Sequence, residues 1–205
     1  KIELAQWEAA ILTDHSALDF TPQPGWGLAV DQGTTTLVAQ LVDRQTGSVL
    51  GVRTALNAQA QHGADIMSRI EFALDGSHQG VLEHLTRQQI GALAADLLAE
   101  RAADARPLES VIVVGNTAMH HLFCGLSLEP LALYPFEPAS PGRQQFDAAQ
   151  LGWDLPGNPP VQFLPCLGGF VGSDILAGLL ATRLPQSERL AALIDLGTNG
   201  EIVVG

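Results

Sequence analysis

The chain has 205 residues, of which 46% are hydrophobic, and a formal net charge of −12. A chain of this length can bury a real core, as one large domain or two small lobes. No apolar run reaches the ~20 residues that a membrane helix requires. The acidic balance argues against nucleic acid or an anionic membrane surface as a partner, because neutralising phosphates requires clustered Lys and Arg.

The start of the chain and its cysteines indicate its context. Lys1-Ile2-Glu3 has neither an initiator Met nor the pattern of a signal peptide, which predicts an internal piece of a longer protein. Cys124 and Cys166 are too few for a disulfide framework or a cluster-ligand set, and both lie among apolar residues. We therefore interpret them as small core residues and predict a reducing, cytoplasmic compartment.

The first predicted elements are an N-terminal segment and three strands. Residues 1–25 hold a mildly amphipathic stretch and then a Pro- and Gly-rich linker, so the main domain begins near Trp26. A hairpin turn at 43–47 joins the second and third strands. The strands are predicted at 27–31, 37–43 and 48–56.

Helices and strands alternate through the rest of the chain. The run Val111–Val114 is typical of a buried central strand, and Asn116 caps the helix that follows it to about residue 124. The proline-rich stretch 129–160 is predicted to be an irregular insertion. The other predicted helices lie at 63–70, 81–104 and 173–183, and the other strands at 161–164 and 190–195.

Three antiparallel strands followed by alternating helices and strands indicate a mixed α/β fold. This order matches one ribonuclease H-like lobe and the opening of a second. We predict that residues 1–25 are a segment and linker, that 26–189 form the first lobe with its insertion near 129–160, and that 190–205 begin a second, truncated lobe.

A short phrase occurs twice, each time directly after an apolar strand. The first copy is Asp31-Gln32-Gly33-Thr34-Thr35-Thr36, and the second is Asp195-Leu196-Gly197-Thr198-Asn199-Gly200-Glu201. One copy alone is compatible with a solvent-exposed hairpin turn. Two copies far apart in one chain predict duplicated half-domains whose turns face each other across a cleft.

Both turns suit a phosphate group and its metal ion. Gly33 and Gly197 let the backbone bend tightly and approach a ligand, and successive N–H groups form a concave anion site. Asp31 and Asp195 each end a strand and can hold hydrated Mg²⁺, which takes only one or two carboxylates. Further donors for phosphate oxygens come from Thr34, Thr35, Thr36, Thr198 and Asn199. We therefore favour phosphate binding over a plain turn.

The segment after the central strand is a second candidate for the cleft. Asn116 and Thr117 follow the carboxyl end of that strand, where open α/β sheets bind ligands. His120 and His121 are adjacent, so they point about 100° apart on a helix. We therefore favour one packed and one exposed histidine over a shared metal site.

Two other motifs have simple structural interpretations. Gly168-Gly169-Phe170-Val171-Gly172-Ser173 precedes a helix and lacks the Lys of a P-loop, so it is a hinge, a close-approach loop or a tight connection against the sheet. Asp65 and Arg69 stand one helical turn apart and most simply pair with each other.

Five segments together resemble the large C-terminal domain of the reductive activators of corrinoid proteins, which belong to the acetate and sugar kinase, Hsp70 and actin superfamily. The resemblance runs in order from about residue 27 to 205. The first and last segments are widespread in the superfamily, and the middle three are similar to the corrinoid activators. The segments are 30–36, 62–70, 115–122, 169–174 and 194–202.

The resemblance implies an ATP-dependent function. Members of this family couple ATP hydrolysis to one-electron reduction of a Co(II) corrinoid, take the electron from a 2Fe-2S domain, bind a corrinoid protein and work as homodimers. Asp31, Gly33, Thr34 and Thr35 would lie in the first phosphate turn, and the second turn would contain Asp195, Gly197, Thr198 and Asn199. The resemblance implies no catalytic base that we can name.

The chain departs from that family in three ways, and two alternatives stay open. It has no ferredoxin cysteines, the adenosine-binding segment would lie beyond Gly205, and Gln32 stands where an apolar residue is usual. The 2Fe-2S cluster would therefore be bound elsewhere in the parent protein and not by this chain. A small-molecule kinase of the same superfamily is one alternative, and a non-catalytic interaction module without nucleotide is the other.

Overall fold

The computed structural model describes residues 20–104 and 106–205. The chain first forms an antiparallel meander of strands β1 (Trp26–Gln32), β2 (Thr36–Asp43) and β3 (Val49–Leu56). Alternate residues of β1 are buried, which is the pattern of a strand with one face on the core. All three predicted strands agree with the structure to within a residue at each end. The amphipathic stretch predicted before residue 20 lies outside the described residues.

Parallel strands extend the meander into a six-stranded sheet. Strand β4 (Leu108–Gly115) lies parallel to β1, and β6 (Pro160–Phe163) lies parallel to β4. Strand β5 (Gln144–Asp147) pairs antiparallel with β6 at the edge. The order β3-β2-β1-β4-β6-β5, with β1 and β4 central, is that of a ribonuclease H-like lobe with an added edge strand.

Two helices cover one face of this sheet. Helices α2 (Gln79–Ala99) and α3 (Thr117–Cys124) pack on inward side chains of the sheet, including Leu28, Val111 and Phe163. Helix α2 ends five residues before the predicted position 104, because its last turn tightens and the chain continues as a short 3₁₀ helix. In the described part of the chain, no helix is long and apolar enough to cross a membrane.

Shorter helices complete the lobe. Helix α1 (Ile66–Leu74) and helix α4 (Glu129–Ala132) form a second apolar cluster with the outer side of α3. Helix α5 (Ser173–Thr182) begins at the carboxyl end of β4. Strands β7 (Ala192–Leu196) and β8 (Gly200–Val204) form a separate hairpin beside α5.

The prediction that one of the two adjacent histidines is exposed is wrong. His120 and His121 are both fully buried, and burial lowers the pKa of both imidazoles, that of His120 to about 4. Helix α3 is short and lies under structure on both sides, with the ring of Phe163 against His120 at 5.0 Å between centroids. Although the two side chains leave the helix about 100° apart, both therefore point into packed protein.

Asp65 and Arg69 do not form the predicted ion pair. Asp65 is the N-cap of α1, where its Oδ1 accepts from the Ser68 N–H at 2.8 Å in a capping box, and the bonds to Ser68 hold the pKa of this carboxyl below its usual range. Arg69 turns inward, is fully buried, and donates from Nε to the Gly63 carbonyl at 2.9 Å. The cap is a stronger local partner for an exposed carboxylate than a distant guanidinium.

Substitutions at Asp65 can distinguish its role as an N-cap from a role in an ion pair. We expect Asp65→Ala to lower the thermal unfolding temperature and Asp65→Asn to retain most of the stability, because Asn caps helices about as well as Asp. If Asp65 instead stabilised the protein through an ion pair, both variants would lose that stabilisation. Thermal unfolding of both variants at low and high salt distinguishes the two cases, and a strong salt dependence in the unchanged protein would contradict the cap.

Candidate functional site

The two repeated turns meet at one cavity of about 280 Å³. The hydroxyl oxygens of Thr35 and Thr198 lie 2.7 Å apart and join the turns directly. The predicted convergence of Asp31 and Asp195 on a common cavity is therefore present in the structure. The lining residues are Asp31, Gly33, Thr34, Thr35, Thr36, Val38, Asn116, Asp174, Asp195, Leu196, Gly197, Thr198, Asn199 and Glu201.

The first turn closes the β1–β2 hairpin and depends on glycine. The Gly33 N–H donates to the Thr36 carbonyl at 3.0 Å, and a Cβ on Gly33 would lie only 2.6 Å from that oxygen. Within the described chain, no backbone carbonyl accepts from the N–H groups of Thr34 and Thr35. Both groups are therefore available to an anion, as a turn of this kind allows.

A buried amide supports the first turn from behind. The Asn57 side chain donates to the Gly33 carbonyl at 2.9 Å, and its backbone N–H donates to the Thr35 carbonyl at 2.8 Å. Asn57 is 1% exposed and also caps a short 3₁₀ helix at Ala58–His62. Asn57 was not predicted as a site residue, because nothing in its local pattern shows that it returns to residue 33.

The second turn closes the β7–β8 hairpin. The Gly197 N–H donates to the Asn199 carbonyl at 3.0 Å, so the turn is tight. Asp195 and Glu201 stand directly opposite each other across the two strands. Opposed residues share one face of a hairpin, and here that face lines the cavity.

Four carboxylates converge on the cavity, from Asp31, Asp174, Asp195 and Glu201. Although the Asp31 side chain is open to the cleft, surrounding protein desolvates it and raises its pKa to about 6, with Asp174 and Asp195 adding repulsion. Desolvation also raises the pKa of Asp174 and of Glu201, and nearby carboxylates add to both shifts. Among the described residues that line this cavity, none carries a positive charge. The charges that line the cavity therefore favour a cation over a free anion.

Asp174 and Glu201 line the cavity, although neither was predicted as a site residue. Asp174 lies in the first turn of α5, directly after the glycine-rich loop. Glu201 could have been found from the hairpin register, because a three-residue turn after Leu196 places it opposite Asp195. Asp174 had no such local signal, since only the folded sheet brings α5 to the end of β1.

Asn116 lines the cavity, but its amide is used within the protein. Its Oδ1 accepts from the Met119 N–H at 3.0 Å as the cap of α3, and its Nδ2 donates to the Thr34 hydroxyl at 2.9 Å. Thr117 was expected in the cleft with it and is absent from the lining. The Thr117 hydroxyl points the other way and donates to the Gly168 carbonyl at 2.7 Å.

The glycine-rich loop is a tight connection to the sheet. A Cβ on Gly172 would lie 2.0 Å from the Gly115 carbonyl oxygen, so two backbones cross in contact there. The Ser173 hydroxyl accepts from the Gly115 N–H at 3.2 Å and is 3.3 Å from the Gly115 carbonyl oxygen. Of the three interpretations, the close packing of α5 on the end of β4 fits best, and it places Asp174 at the cavity.

The chain matches known proteins over most of its length. It is 36% identical over 208 residues to the corrinoid activation enzyme RamQ of Eubacterium limosum, covering 95% of this chain and 34% of that protein. It is 23% identical over 192 residues to the Co(II) methylated amine-specific corrinoid protein reductase of Methanosarcina barkeri, covering 87% of this chain and 34% of the relative. The chain thus spans about a third of the length of the curated relatives it matches.

A solved structure and a family model agree with these relatives. The structure of a reductive activator for corrinoid, iron-sulfur protein superposes with a TM-score of 0.83 at 34% identity, covering 91% of this chain and 30% of that one. A family model described as the RACo middle region matches residues 26–187. Because that model matches most of the chain, the protein belongs to the RACo middle region family.

Proposed function

We propose that this chain supplies the phosphate-binding part of an ATP-dependent reductive activator of a corrinoid protein. The observation that carries the proposal is the cavity between the two turns, where Thr35 and Thr198 are in contact and Asp31 and Asp195 line one space. Each turn presents backbone N–H groups of the kind that form an anion site, so the two turns would hold a phosphate group from two sides. The names of the matched relatives support the corrinoid part of the proposal.

The residues of the cavity fit a hydrated magnesium ion with a nucleotide phosphate. Four carboxylates without a cationic neighbour would repel a bare phosphate, so a divalent cation has to accompany it. Asp31 and Asp195 would hold the ion, since Mg²⁺ keeps several waters and takes one or two carboxylates. Asp174 and Glu201 would accept from those waters. The phosphate oxygens would be bound by Gly33, Thr34, Thr35, Gly197, Thr198 and Asn199, with Asn116 holding Thr34 in place.

When bound, Mg·ATP supplies the phosphoanhydride whose hydrolysis drives the reduction. This chain's own residues orient the phosphates and hold the ion, because phosphoryl transfer depends mainly on positioning and charge stabilisation. We propose that an iron-sulfur domain elsewhere in the parent protein supplies the electron and that a corrinoid protein accepts it. The cytoplasmic location and the homodimer stay predictions, and the family resemblance is what supports the dimer.

Reduction of a Co(II) corrinoid by the complete parent protein tests this function. We expect Mg·ATP to increase the rate of Co(I) formation and Asp195→Asn to remove the increase. The matched control is Asp96→Asn, an exposed change on α2 outside the cavity. Equal rates with and without ATP would contradict the proposal, and ATP-dependent phosphorylation of a small acceptor would favour the kinase alternative instead.

The raised pKa of Asp31 predicts that binding depends on pH. Asp31 has to be ionised to hold the cation, and its pKa of about 6 means that protons compete with the ion in weakly acidic solution. We expect the affinity for Mg·ATP to be constant above pH 7 and to fall about tenfold for each pH unit below 6. Calorimetric titration between pH 5 and pH 8 measures this. An affinity that is flat across the range would exclude Asp31 as a ligand.

A further inference from the structure

A second group of ligand-type side chains lies away from the carboxylates. One ring nitrogen each of His120 and His121 and the Cys166 sulfur lie within 4.8 Å of one another. Both histidines are fully buried, and Cys166 is half-buried. The function proposed above uses none of the three, so their clustering needs an explanation of its own.

The fold holds these side chains in place from two directions. The histidines are on α3, and Cys166 lies in the loop after β6, where its N–H donates to the Pro141 carbonyl at 2.8 Å. The two Nδ1 atoms of the histidines are 3.3 Å apart, although their backbone positions diverge. The side chains therefore turn toward each other, and Cys166 approaches from a separate element.

The hydrogen bonds of His121 leave one ring nitrogen ready for a ligand. Its Nδ1 lies 2.9 Å from the Thr117 carbonyl oxygen, which can only accept, so Nδ1 carries the proton. The lone pair is then on Nε2, which is buried and has no hydrogen-bond partner among the described residues. A histidine that donates from one nitrogen to a backbone carbonyl is the usual arrangement in metal sites.

The second histidine offers its other ring nitrogen. His120 Nδ1 faces the protonated Nδ1 of His121 at 3.3 Å and therefore accepts, so the lone pair of neutral His120 is on Nδ1. A buried acceptor without a partner, such as His121 Nε2, is unusual, since buried polar groups are nearly always paired. Packing alone would explain an apolar residue at this position, whereas it leaves the Nε2 lone pair of His121 unsatisfied.

We propose that His120, His121 and Cys166 bind a divalent transition-metal ion of the zinc class. Two imidazoles and one thiolate suit Zn²⁺ and leave a fourth coordination position. Ligand atoms of a tetrahedral zinc site lie about 3.5 Å apart, so binding needs only small rotations of these side chains. The Cys166 thiol gives up its proton to solvent when the sulfur coordinates the ion.

The donor types separate this site from the carboxylate cavity. The cavity offers only oxygen ligands to an ion, which suit Mg²⁺, while nitrogen and sulfur ligands select zinc-class metals. An ion at the histidines would tie the loop after β6 to α3. That loop leads to Asp174, and α3 begins beside Asn116, so the ion would brace two elements that line the cavity.

Titration of the 205-residue chain with Co²⁺, a spectroscopic substitute for Zn²⁺, tests the proposal. The chain has only two cysteines, so a thiolate-to-cobalt charge-transfer band reports one of two residues. We expect one equivalent of Co²⁺ to produce the band, Zn²⁺ to displace it, and Zn²⁺ alone to raise the unfolding temperature. Excess Mg²⁺ should leave the band unchanged.

Three variants assign the ligands. Cys166→Ser should remove the band, and Cys124→Ser, the matched change at the other thiol, should keep it. His121→Asn retains a donor toward the Thr117 carbonyl but lacks Nε2, so we expect it to keep its fold by circular dichroism and to weaken Zn²⁺ binding at least about tenfold. Absence of the band in the folded chain, or a band that survives Cys166→Ser, would overturn the proposal.

Discussion

An Asp31→Asn variant is expected to lose Mg²⁺-dependent nucleotide binding and to unfold at a higher temperature than the unchanged protein at pH 7. The variant loses affinity but gains stability because binding depends on the nucleotide complex, whereas unfolding is measured on the free protein. In the nucleotide complex, the carboxylate of Asp31 would face the cation. In the free protein, the same carboxylate faces Asp174 and Asp195 in a desolvated position.

The loss of binding follows from removing a charge that the cation needs. Truncating one member of a desolvated charge pair costs about 2–5 kcal/mol, so the affinity for Mg·ATP should fall at least about thirtyfold. Asparagine keeps the size of the side chain and one oxygen, so the change is confined to charge. Calorimetric titration with Mg·ATP measures the loss.

The gain in stability follows from the raised pKa. Because the pKa of Asp31 is about 6 in the folded protein and 3.8 in the unfolded chain, the folded state is penalised wherever the group is ionised. This penalty is absent below pH 3.8, grows as pH rises through the window from 3.8 to 6, and is complete above 6. Asparagine removes it, so the variant should be the more stable protein at pH 7.

Thermal unfolding without nucleotide at pH 7 and at pH 4 checks this second effect. The difference between Asp31→Asn and the unchanged protein should be largest at pH 7 and nearly vanish at pH 4. Asp96→Asn, on the exposed side of α2, should show no difference at either pH. A destabilised Asp31→Asn protein at pH 7 would show that the carboxylate supports the apo fold and would contradict the argument.

Local patterns predicted the two turns and most strands, because those depend on neighbouring residues. The Gly33 turn follows from an Asp, a Gly and hydroxyl residues between two apolar runs, and β1 and β2 follow from alternation within a few positions. Strand β5 (Gln144–Asp147) was missed because its residues are largely polar and it lies at the sheet edge. Such a strand has no apolar pattern of its own and forms through pairing with β6.

The candidate site was predicted only in part, because the rest depends on long-range packing. Asp174 reaches the cavity through the crossing of Gly172 and Gly115, which no local pattern encodes. Arg69 is buried although a nearby Asp65 suggested a surface pair. Cys124 packs against the sheet core as predicted for a small core residue, whereas Cys166 lies instead beside the buried histidines.

Gly172→Ala is expected to be the most destabilising small substitution in the lobe. An added Cβ would lie 2.0 Å from the Gly115 carbonyl oxygen and 2.5 Å from the Asn116 Cα, and both are backbone atoms. Backbone at the end of a central strand cannot move aside as a flexible side chain can. Overpacking typically costs 1–3 kcal/mol, so we expect a loss of about 3 kcal/mol here.

The same substitution should also weaken the site. To relieve the clash, α5 has to move away from the end of β4, which breaks the contacts between Ser173 and Gly115 and withdraws Asp174 from the cavity. The Gly172→Ala protein should therefore bind Mg·ATP more weakly even at temperatures where it remains folded. Its affinity, measured well below its unfolding temperature, separates this local effect from simple loss of folded protein.

Gly168→Ala is the matched control, because it makes the same change in the same loop. A Cβ at Gly168 would meet nothing within 4 Å, so the change in free energy of unfolding should stay within about 0.5 kcal/mol. Denaturant unfolding of the two variants compares them directly. Equal stability of the two would mean that the Gly172–Gly115 crossing is looser than 2.0 Å implies, and the placement of Asp174 at the cavity would then lose its structural basis.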